Sequence, residues 1–418
     1  MQIVPALAPG TTARCARCGT ILHRAARYPL EHNIALTVAA LVLLVIMCTT
    51  TLMNVETAGI ALTAGLFSGP DELVRRGMGE LAVVIVFVTL LAPLGKLAGT
   101  LYVLSRLREA NPPHHLRRVF AFVEKLRPWS MIEVFVFGVF VAYVKLGDLV
   151  TIGLEAGVYA LLALTFVIIW ADSALDHQAV WDALDHRDDT VGGAGCTRSL
   201  RRSRAHAIGC ETCGLVSVPR LADPSCPRCD TALHARKPDS VARTWALVIA
   251  AAILYIPANH YPVLTVLQLG PGAPSTILGG VEELFASGLY PLAALVFVAS
   301  IAIPLRKLVG LSLMLIATQT GRTEWLRDRT WLYHIIRWIG RWSMIDIFME
   351  ALLGALVRFG NVITIEPGMG AVAFCSVVIL TMIAAETFDP RLMWDAAEKH
   401  APMAATLASQ ASSATEAG

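Results

Sequence analysis

The sequence predicts an all-α polytopic membrane protein built from two parallel repeats, each with four transmembrane helices preceded by a cytoplasmic zinc-ribbon-like head. Composition, long apolar runs and an internal repeat support this fold class. The 418 residues are 56% hydrophobic and 16% charged, whereas soluble domains carry about 25% charged residues. The mean hydropathy of +0.61 therefore indicates residence in a membrane.

Eight apolar runs are the predicted membrane spans. Each approaches the roughly 20 residues that cross the hydrocarbon core. A backbone inside lipid must satisfy its own hydrogen bonds, which favours helices. The runs cover residues 34–53, 80–104, 129–146, 152–171, 245–266, 289–316, 342–357 and 369–385.

Positive charge predicts the orientation of these spans. Lys and Arg concentrate in the cytoplasmic loops of membrane proteins. Of the 34 Lys and Arg, only Arg75, Arg76, Lys145 and Arg358 fall on the opposite side, and Lys96 lies within a span. We therefore expect both termini and the central region to be cytoplasmic.

An internal repeat with near-constant spacing divides the chain into two copies of one module. Pro93 recurs as Pro304, and "WSMIE" at 129–133 recurs as "WSMID" at 342–346. An even number of spans per copy gives both copies the same direction, as in parallel transporter repeats. The predicted parts are a partial zinc-ribbon head at 1–33, a four-helix module at 34–176, a linker and zinc ribbon at 177–240, a second four-helix module at 241–390, and a disordered cytoplasmic tail at 391–418.

Four cysteines of the central region have the spacing of a zinc ribbon. Cys210 and Cys213 form one CxxC knuckle, and Cys226 and Cys229 form the second. Two such knuckles are typical of a four-thiolate zinc site. A cytoplasmic location favours metal over structural disulfides, and the alternative is a redox dithiol pair.

The N-terminal head has a single knuckle, Cys15 and Cys18. It aligns with the second knuckle of the central ribbon, and the place of the first knuckle falls at or before Met1. We therefore expect a truncated head with two metal ligands, and zinc binding there is the weaker prediction.

Ionisable residues within the spans suggest two ion pairs. Such residues are costly in lipid and often functional. Lys96 and Glu133 lie at similar depth on consecutive spans, and Lys307 and Asp346 occupy the matching positions. The predicted Lys96–Glu133 and Lys307–Asp346 pairs either hold the helices together or gate lipid or proton movement.

The second copy has a proline-rich break at the far end of its first span. Pro257, Asn259 and Pro262 interrupt the helical pattern in "YIPANHYPVL". Irregular backbone at this depth predicts a protein-lined mouth or lipid path, and the alternative is a frayed helix end.

Tandem four-span modules with CxxC knuckles, "WSM[IL][DE]" and "FDPRLMWDA" resemble the paraquat-inducible protein A family (PqiA and LetA types) over nearly the whole chain. "CPRCDTAL", "PANHYPVL" and "TILGGVEEL" carry the resemblance in the second copy. The resemblance implies an inner-membrane component of an MCE-type phospholipid transport system. Such a component would load or unload lipid at a periplasmic tunnel and support envelope integrity.

Two other functions stay open at this point. One is a small-solute or proton-coupled transporter, and the other is a zinc-headed membrane scaffold or sensor. The sequence lacks a GxxxxGK[ST] pattern and any catalytic triad or metalloprotease motif, so we expect no enzyme. The expected cofactor is zinc, and the expected partners are an MCE-domain periplasmic protein, phospholipid and the membrane, without nucleic acid.

Overall fold

The computed structural model describes residues 10–15, 21–24, 30–57, 60–107, 113, 115–147, 151–185, 208–217, 225–268, 273–321, 325–356 and 363–397. The chain divides into two compact units. The first comprises Met1–Ala235 and Phe348–Gly360, and the second comprises Arg236–Ile347 and Asn361–Gly418. Both units are mainly helical. Among the described residues the first unit also contains three small sheets and the second unit one, and the sequence analysis did not predict the three-stranded sheet in either.

The first unit contains eight helices and seven strands among its described residues before Ala235. The helices are α1 (Leu30–Thr49), α2 (Ser68–Arg75), α3 (Gly79–Val86), α4 (Ala92–Arg106), α5 (His115–Leu126), α6 (Ile132–Gly147), α7 (Ala156–Ala174) and α8 (His177–Asp185). The strands are β1 (Thr12–Arg14), β2 (Ile21–Arg24), β3 (Thr51–Thr57), β4 (Ile60–Gly65), β5 (Thr151–Leu154), β6 (Ile208–Gly209) and β7 (Val216–Ser217).

An antiparallel sheet of order β4-β3-β5 follows the first long helix. The predicted span at 34–53 is therefore wrong at its end, because α1 stops at Thr49 and β3 begins at Thr51. Met53 and Val55 have no exposed surface, so their hydrophobicity serves the packing of a strand. Gly157 of α7 lies against the start of β3, where an added Cβ would come within 2.4 Å of the Thr51 carbonyl oxygen.

A π-helical segment, Phe87–Leu91, joins α3 to α4. These elements form one apolar helix over Gly79–Arg106, long enough to cross a membrane. Pro93 lies in the first turn of α4. Because proline has no N–H and crowds the preceding turn, the wider π turn lets the helix continue through this residue.

The second unit follows a similar order of elements. Its helices are α9 (Ser240–His260), α10 (Ile277–Ala286), α11 (Tyr290–Phe297), α12 (Ile303–Thr320), α13 (Leu326–Ile339), the start of α14 (Ile345–Leu356) and α15 (Met369–Thr387). Strands β8 (Leu264–Gln268), β9 (Ala273–Ser275) and β10 (Ile363–Pro367) form an antiparallel sheet of order β10-β8-β9. A π-helical segment, Val298–Ala302, joins α11 to α12, just as Phe87–Leu91 joins α3 to α4.

The core of the second unit lies between α9, α12, α13 and α15. Leu311 and Leu315 of α12 are fully buried there, as is Phe388 just after α15. The Tyr333 hydroxyl of α13 donates a hydrogen bond to the Ala385 carbonyl oxygen at 3.0 Å. This bond fixes α13 against the end of α15 and satisfies a polar group inside an apolar core.

Seven helices of the described residues are long and apolar enough to cross a membrane: Glu31–Thr49, Gly79–Arg106, His115–Lys145, Ala156–Ala174, Ser240–His260, Tyr290–Thr320 and Met369–Thr387. The run predicted to span at 342–357 is not among them. It begins in a 3₁₀ segment, Gly340–Met344, and continues as the 12-residue α14. Residues 357–362 lie outside the described part of the chain.

Candidate metal centre and buried polar cluster

The two central knuckles have the same backbone structure. In the first, the Cys210 N–H donates to the Leu215 carbonyl at 2.8 Å, and in the second the Cys226 N–H donates to the Thr231 carbonyl at the same distance. Each knuckle turns through one residue with positive φ, Gly214 at 71° and Asp230 at 57°. Glycine and aspartate tolerate this conformation better than most residues, so the local sequence favours both turns.

The four thiols converge on one point. Their sulfur atoms all lie within 4.8 Å of one another, and all four cysteines are buried. The Cys210 and Cys229 sulfurs are 3.5 Å apart, and those of Cys213 and Cys226 are 3.6 Å apart. Four sulfurs placed tetrahedrally at about 2.3 Å from zinc are about 3.8 Å from one another. The four residues therefore fit a metal ion of this size, which would supply structural cross-linking of the two knuckles.

Hydrogen bonds among the four thiols shift their pKa values in opposite directions. Hydrogen bonds with the Cys213, Cys226 and Cys229 thiols lower the pKa of Cys210. The hydrogen bond with Cys210, together with burial, raises the pKa of Cys213. The thiolate is the metal-binding form of cysteine, and the hydrogen bonds of the cluster stabilise a thiolate within it.

The cysteine knuckles pack on helices of the first unit. All four cysteines belong to one buried cluster with side chains of α4, α5 and α8. Trp181 of α8 is 1% exposed, and its ring meets that of Phe120 of α5 edge to face, with centroids 4.8 Å apart. The knuckles thus rest on a platform formed by α5 and α8.

Two arginine contacts fasten the knuckles to this platform. Arg228, between the cysteines of the second knuckle, donates to Asp182 of α8 at 3.0 Å, and its side chain is only 8% exposed. Arg118 of α5 donates to Asp230 at 3.0 Å, but both side chains are exposed. The Arg228 contact is shielded from solvent on its arginine side only, because the Asp182 side chain is 56% exposed, and solvent weakens exposed ion pairs.

The N-terminal head contains an antiparallel hairpin of β1 and β2. Cys15 follows β1 and is partly buried. Cys18 lies outside the described residues, so the metal site predicted at Cys15 and Cys18 stays a prediction.

The membrane-embedded lysines have partners that the sequence analysis did not select. The Lys96 ammonium lies 2.5 Å from a carboxylate oxygen of Asp172 on α7. The Lys307 ammonium donates to the Gly340 carbonyl oxygen at 2.9 Å. Asp172 comes just after the predicted span at 152–171, so a search of neighbouring spans for acids missed it. The proposed partners Glu133 and Asp346 occupy the first turns of α6 and α14, and the side chain of Asp346 lies outside the described part of the structure.

A second acidic contact lies beside Lys96. The His177 Nδ1 of α8 is 2.5 Å from the Glu124 Oε1 of α5. Asn33 of α1 is 3% exposed and donates to the Ala174 carbonyl oxygen at 3.3 Å. These residues and the Lys96–Asp172 pair line one pocket. Sequence reasoning missed this cluster because its members come from several helices and form no local motif.

The predicted mouth lies at the end of α9. Pro257 is inside the helix, which continues to His260. The Asn259 side chain donates to the Tyr255 carbonyl oxygen at 2.8 Å. The Pro262 carbonyl oxygen accepts from the Gly370 N–H of α15 at 3.2 Å. These polar groups bond within the unit, and a lipid path along Pro257, Asn259 and Pro262 stays a prediction.

Comparison with known proteins identifies the family. The family model "Paraquat-inducible protein A" matches residues 30–185 and again residues 241–398. The chain belongs to the paraquat-inducible protein A family. Its two matched stretches leave the cysteine knuckles between them.

Curated relatives cover almost the whole chain. "Intermembrane transport protein PqiA" of Escherichia coli K12 is 34% identical over 94% of this chain and 93% of its own length. "Lipophilic envelope-spanning tunnel protein A" of the same organism is 27% identical over 94% of this chain and 89% of its own length. "Probable intermembrane transport protein" of Haemophilus influenzae is 26% identical over 91% of this chain and 90% of its own length. No solved structure matches the chain.

The family and the apolar helices together define the class of this protein. It is a multi-pass membrane protein of a family whose relatives are named for intermembrane transport, and their names describe transport proteins rather than enzymes.

Proposed function

We propose that this protein is the inner-membrane component of an MCE-type system that moves phospholipid between the inner and outer membranes. It loads or unloads lipid at a periplasmic tunnel and supports envelope integrity. The observation that carries this proposal is the 34% identity to an intermembrane transport protein across 94% of the chain. A second relative named as an envelope-spanning tunnel protein supports the same role.

The proposed architecture is two parallel copies of one four-helix module, with both termini and the cysteine knuckles in the cytoplasm. Two family matches, at 30–185 and 241–398, support the duplication. Sheets of corresponding order and π-helical segments at matching places in the two units support it as well. Zinc bound by the four cysteines would hold the knuckles on α5 and α8.

Lipid photocrosslinking in cells tests the proposed lipid path. A photoreactive amino acid replaces Asn259, at the proposed mouth, or Ile256, which is 71% exposed on the same helix and which we expect to face bulk lipid. We expect phospholipid adducts at both positions. Deletion of the MCE-domain partner should change the adduct yield at position 259 only, because bulk lipid reaches position 256 independently of transport. Equal yields at 259 with and without the partner would contradict the proposed path.

Affinity purification tests the proposed partner separately. The tagged chain, extracted in mild detergent, should retain an MCE-domain protein encoded in the same organism, whereas an unrelated inner-membrane protein of similar size should not. A chain that retains no MCE-domain protein after crosslinking would contradict this assignment.

A further inference from the structure

The pocket beside Lys96 is a small polar cavity in the first unit. Its lining includes Asn33, Lys96, Glu124, Arg127, Asp172 and His177. The cavity volume is about 20 Å³, which is enough for about one water molecule. A lipid headgroup is far larger, so the cavity suits water or a proton as its ligand.

Four buried polar atoms at this cavity have no hydrogen-bond partner within the described structure: Asn33 Oδ1, Glu124 Oε1 and both ring nitrogens of His177. Glu124 Oε1 and His177 Nδ1 lie 2.5 Å from each other, and Asn33 Oδ1 and His177 Nε2 are the two atoms that this contact leaves unsatisfied. Asn33 as a whole is 3% exposed. Buried polar atoms are nearly always satisfied, and an unsatisfied one costs about 1–3 kcal/mol. Asn33 Oδ1 and His177 Nε2 can both accept a hydrogen bond. Two unsatisfied acceptors at a water-sized cavity indicate that water or a proton binds there.

The surrounding charges are nearly balanced. Lys96 is 7% exposed and is paired with Asp172, and Arg127 and Glu124 complete the lining from α5 and the segment after it. Asp176 precedes α8, and its carboxylate accepts from the N–H groups of Gln178 and Ala179. A positive charge on His177 would therefore lie close to two carboxylates, that of Glu124 and that of the preceding residue, Asp176.

We propose that this cavity is a proton-binding site formed by His177 and Glu124. In the unprotonated state, Nδ1–H of neutral His177 faces the Glu124 carboxylate. Uptake of one proton places it on the Nε2 lone pair and gives an imidazolium beside the carboxylate. The proton comes from water, no other bond changes, and the charge of the pair rises from −1 to 0.

Proton uptake tightens the contact between α5 and α8. The carboxylate already makes this a charge-assisted contact, and the imidazolium adds the attraction between opposite charges. The His177 ring also stacks on Phe120, with centroids 6.1 Å apart, and Phe120 meets Trp181 in the platform of the cysteine knuckles. The protonation state of His177 is thereby linked to the seating of the knuckles.

The site is particular to the first copy of the repeat. When Trp181 is aligned with Trp394, the positions that correspond to Asp172 and His177 are Ala385 and Pro390. The second copy therefore retains Lys307 without these two titratable residues. This inference does not depend on the proposed transport function, because it concerns proton binding alone.

Solid-state NMR of the full chain in lipid nanodiscs tests proton binding directly. The chain is labelled with ¹⁵N-histidine. Subtracting the spectrum of His177→Gln from that of the wild type assigns the His177 signals. His234→Gln, which changes an exposed histidine, is the control. Between pH 5 and 8.5, His177 should pass from neutral to imidazolium. Glu124→Gln should weaken proton binding at this site, because a neighbouring carboxylate favours the charged form of an imidazole.

A His177 signal that stays in one state throughout this range would overturn the proposal, as would an unchanged midpoint in Glu124→Gln. If His177→Gln does not fold, the histidine signal that moves in Glu124→Gln identifies the site. Hydrogen exchange at residues 177–185, corrected for intrinsic rates, should slow in the wild type from pH 8 to pH 6. Equal slowing in Glu124→Gln would refute the link to α8.

Discussion

Replacement of one knuckle cysteine should weaken zinc binding and loosen the packing of the knuckles on α5 and α8. Cys226 is fully buried, and its N–H already holds the second knuckle through Thr231. Cys226→Ser keeps the size of the side chain but removes the thiolate that a soft metal ligand set requires. We expect lower zinc content and a loosened segment at residues 208–217 and 225–235.

The expected loss of zinc affinity follows from the number of ligands. Structural zinc in small domains contributes roughly 10–16 kcal/mol, which is about 2.5–4 kcal/mol for each of the four thiolates. The loss of one ligand should therefore weaken zinc binding by about 10²- to 10³-fold. The knuckles also share a buried cluster with Phe120 and Trp181, so a displaced ribbon would expose those rings.

The assay is zinc content of the purified chain by mass spectrometry, followed by competition with a chromogenic chelator. Cys196→Ser is the matched control, since Cys196 belongs to neither knuckle. Limited proteolysis should cut the Cys226→Ser chain near the knuckles faster than the control. A wild type that holds no zinc, or a Cys226→Ser chain with unchanged zinc affinity, would refute the four-thiolate site.

Three further changes test the packing of the first unit. Trp181→Ala removes a side chain that is 1% exposed and should lower stability by about 3–5 kcal/mol, measured by thermal unfolding in detergent. Gly157→Ala places a Cβ about 2.4 Å from the Thr51 carbonyl and should lower stability by about 1–3 kcal/mol, measured in the same way. Asp172→Asn deprives buried Lys96 of its carboxylate and should cost roughly 3 kcal/mol, and the double change with Lys96→Met should recover part of that loss.

Each of these changes has a control and a contradicting result. Trp331→Ala alters a ring that is 68% exposed, and Gly79→Ala adds a Cβ with no atom within 4 Å, so both should leave the unfolding temperature nearly unchanged. Equal losses in a test variant and its control would show that the proposed contact is not the cause. For the ion pair, strictly additive losses in the double variant would show that the two side chains do not interact.

Local patterns in the sequence predicted the parts that depend on local geometry. The spacing of Cys210, Cys213, Cys226 and Cys229 determines two tight turns, and the structure places the four sulfurs together. Apolar runs located the long helices, but hydrophobicity alone could not show where a helix passes into a buried strand. For this reason the prediction for α1 extended into β3.

Contacts between distant residues could not be predicted in the same way. Arg118 and Asp230 are far apart in the chain, as are Lys96 and Asp172, and both pairs join different elements. The sequence does not show which of its acids each lysine or arginine will meet, because tertiary packing selects the partner. The resting place of the knuckles on α5 and α8 likewise depends on how those helices pack.

The π-helical segments have a consequence for the direction of the two buried lysines. A π turn holds one residue more than an ordinary helical turn, and each residue advances an α-helix by about 100° around its axis. Because the extra residue is contained within the π turn, removal of one residue from Phe87–Leu91 would restore an ordinary helical turn and leave Lys96 directed towards Asp172. The same holds for Val298–Ala302 and the contact between Lys307 and the Gly340 carbonyl, whereas a deletion in the α-helical turns between a π segment and its lysine would rotate that lysine by about 100°.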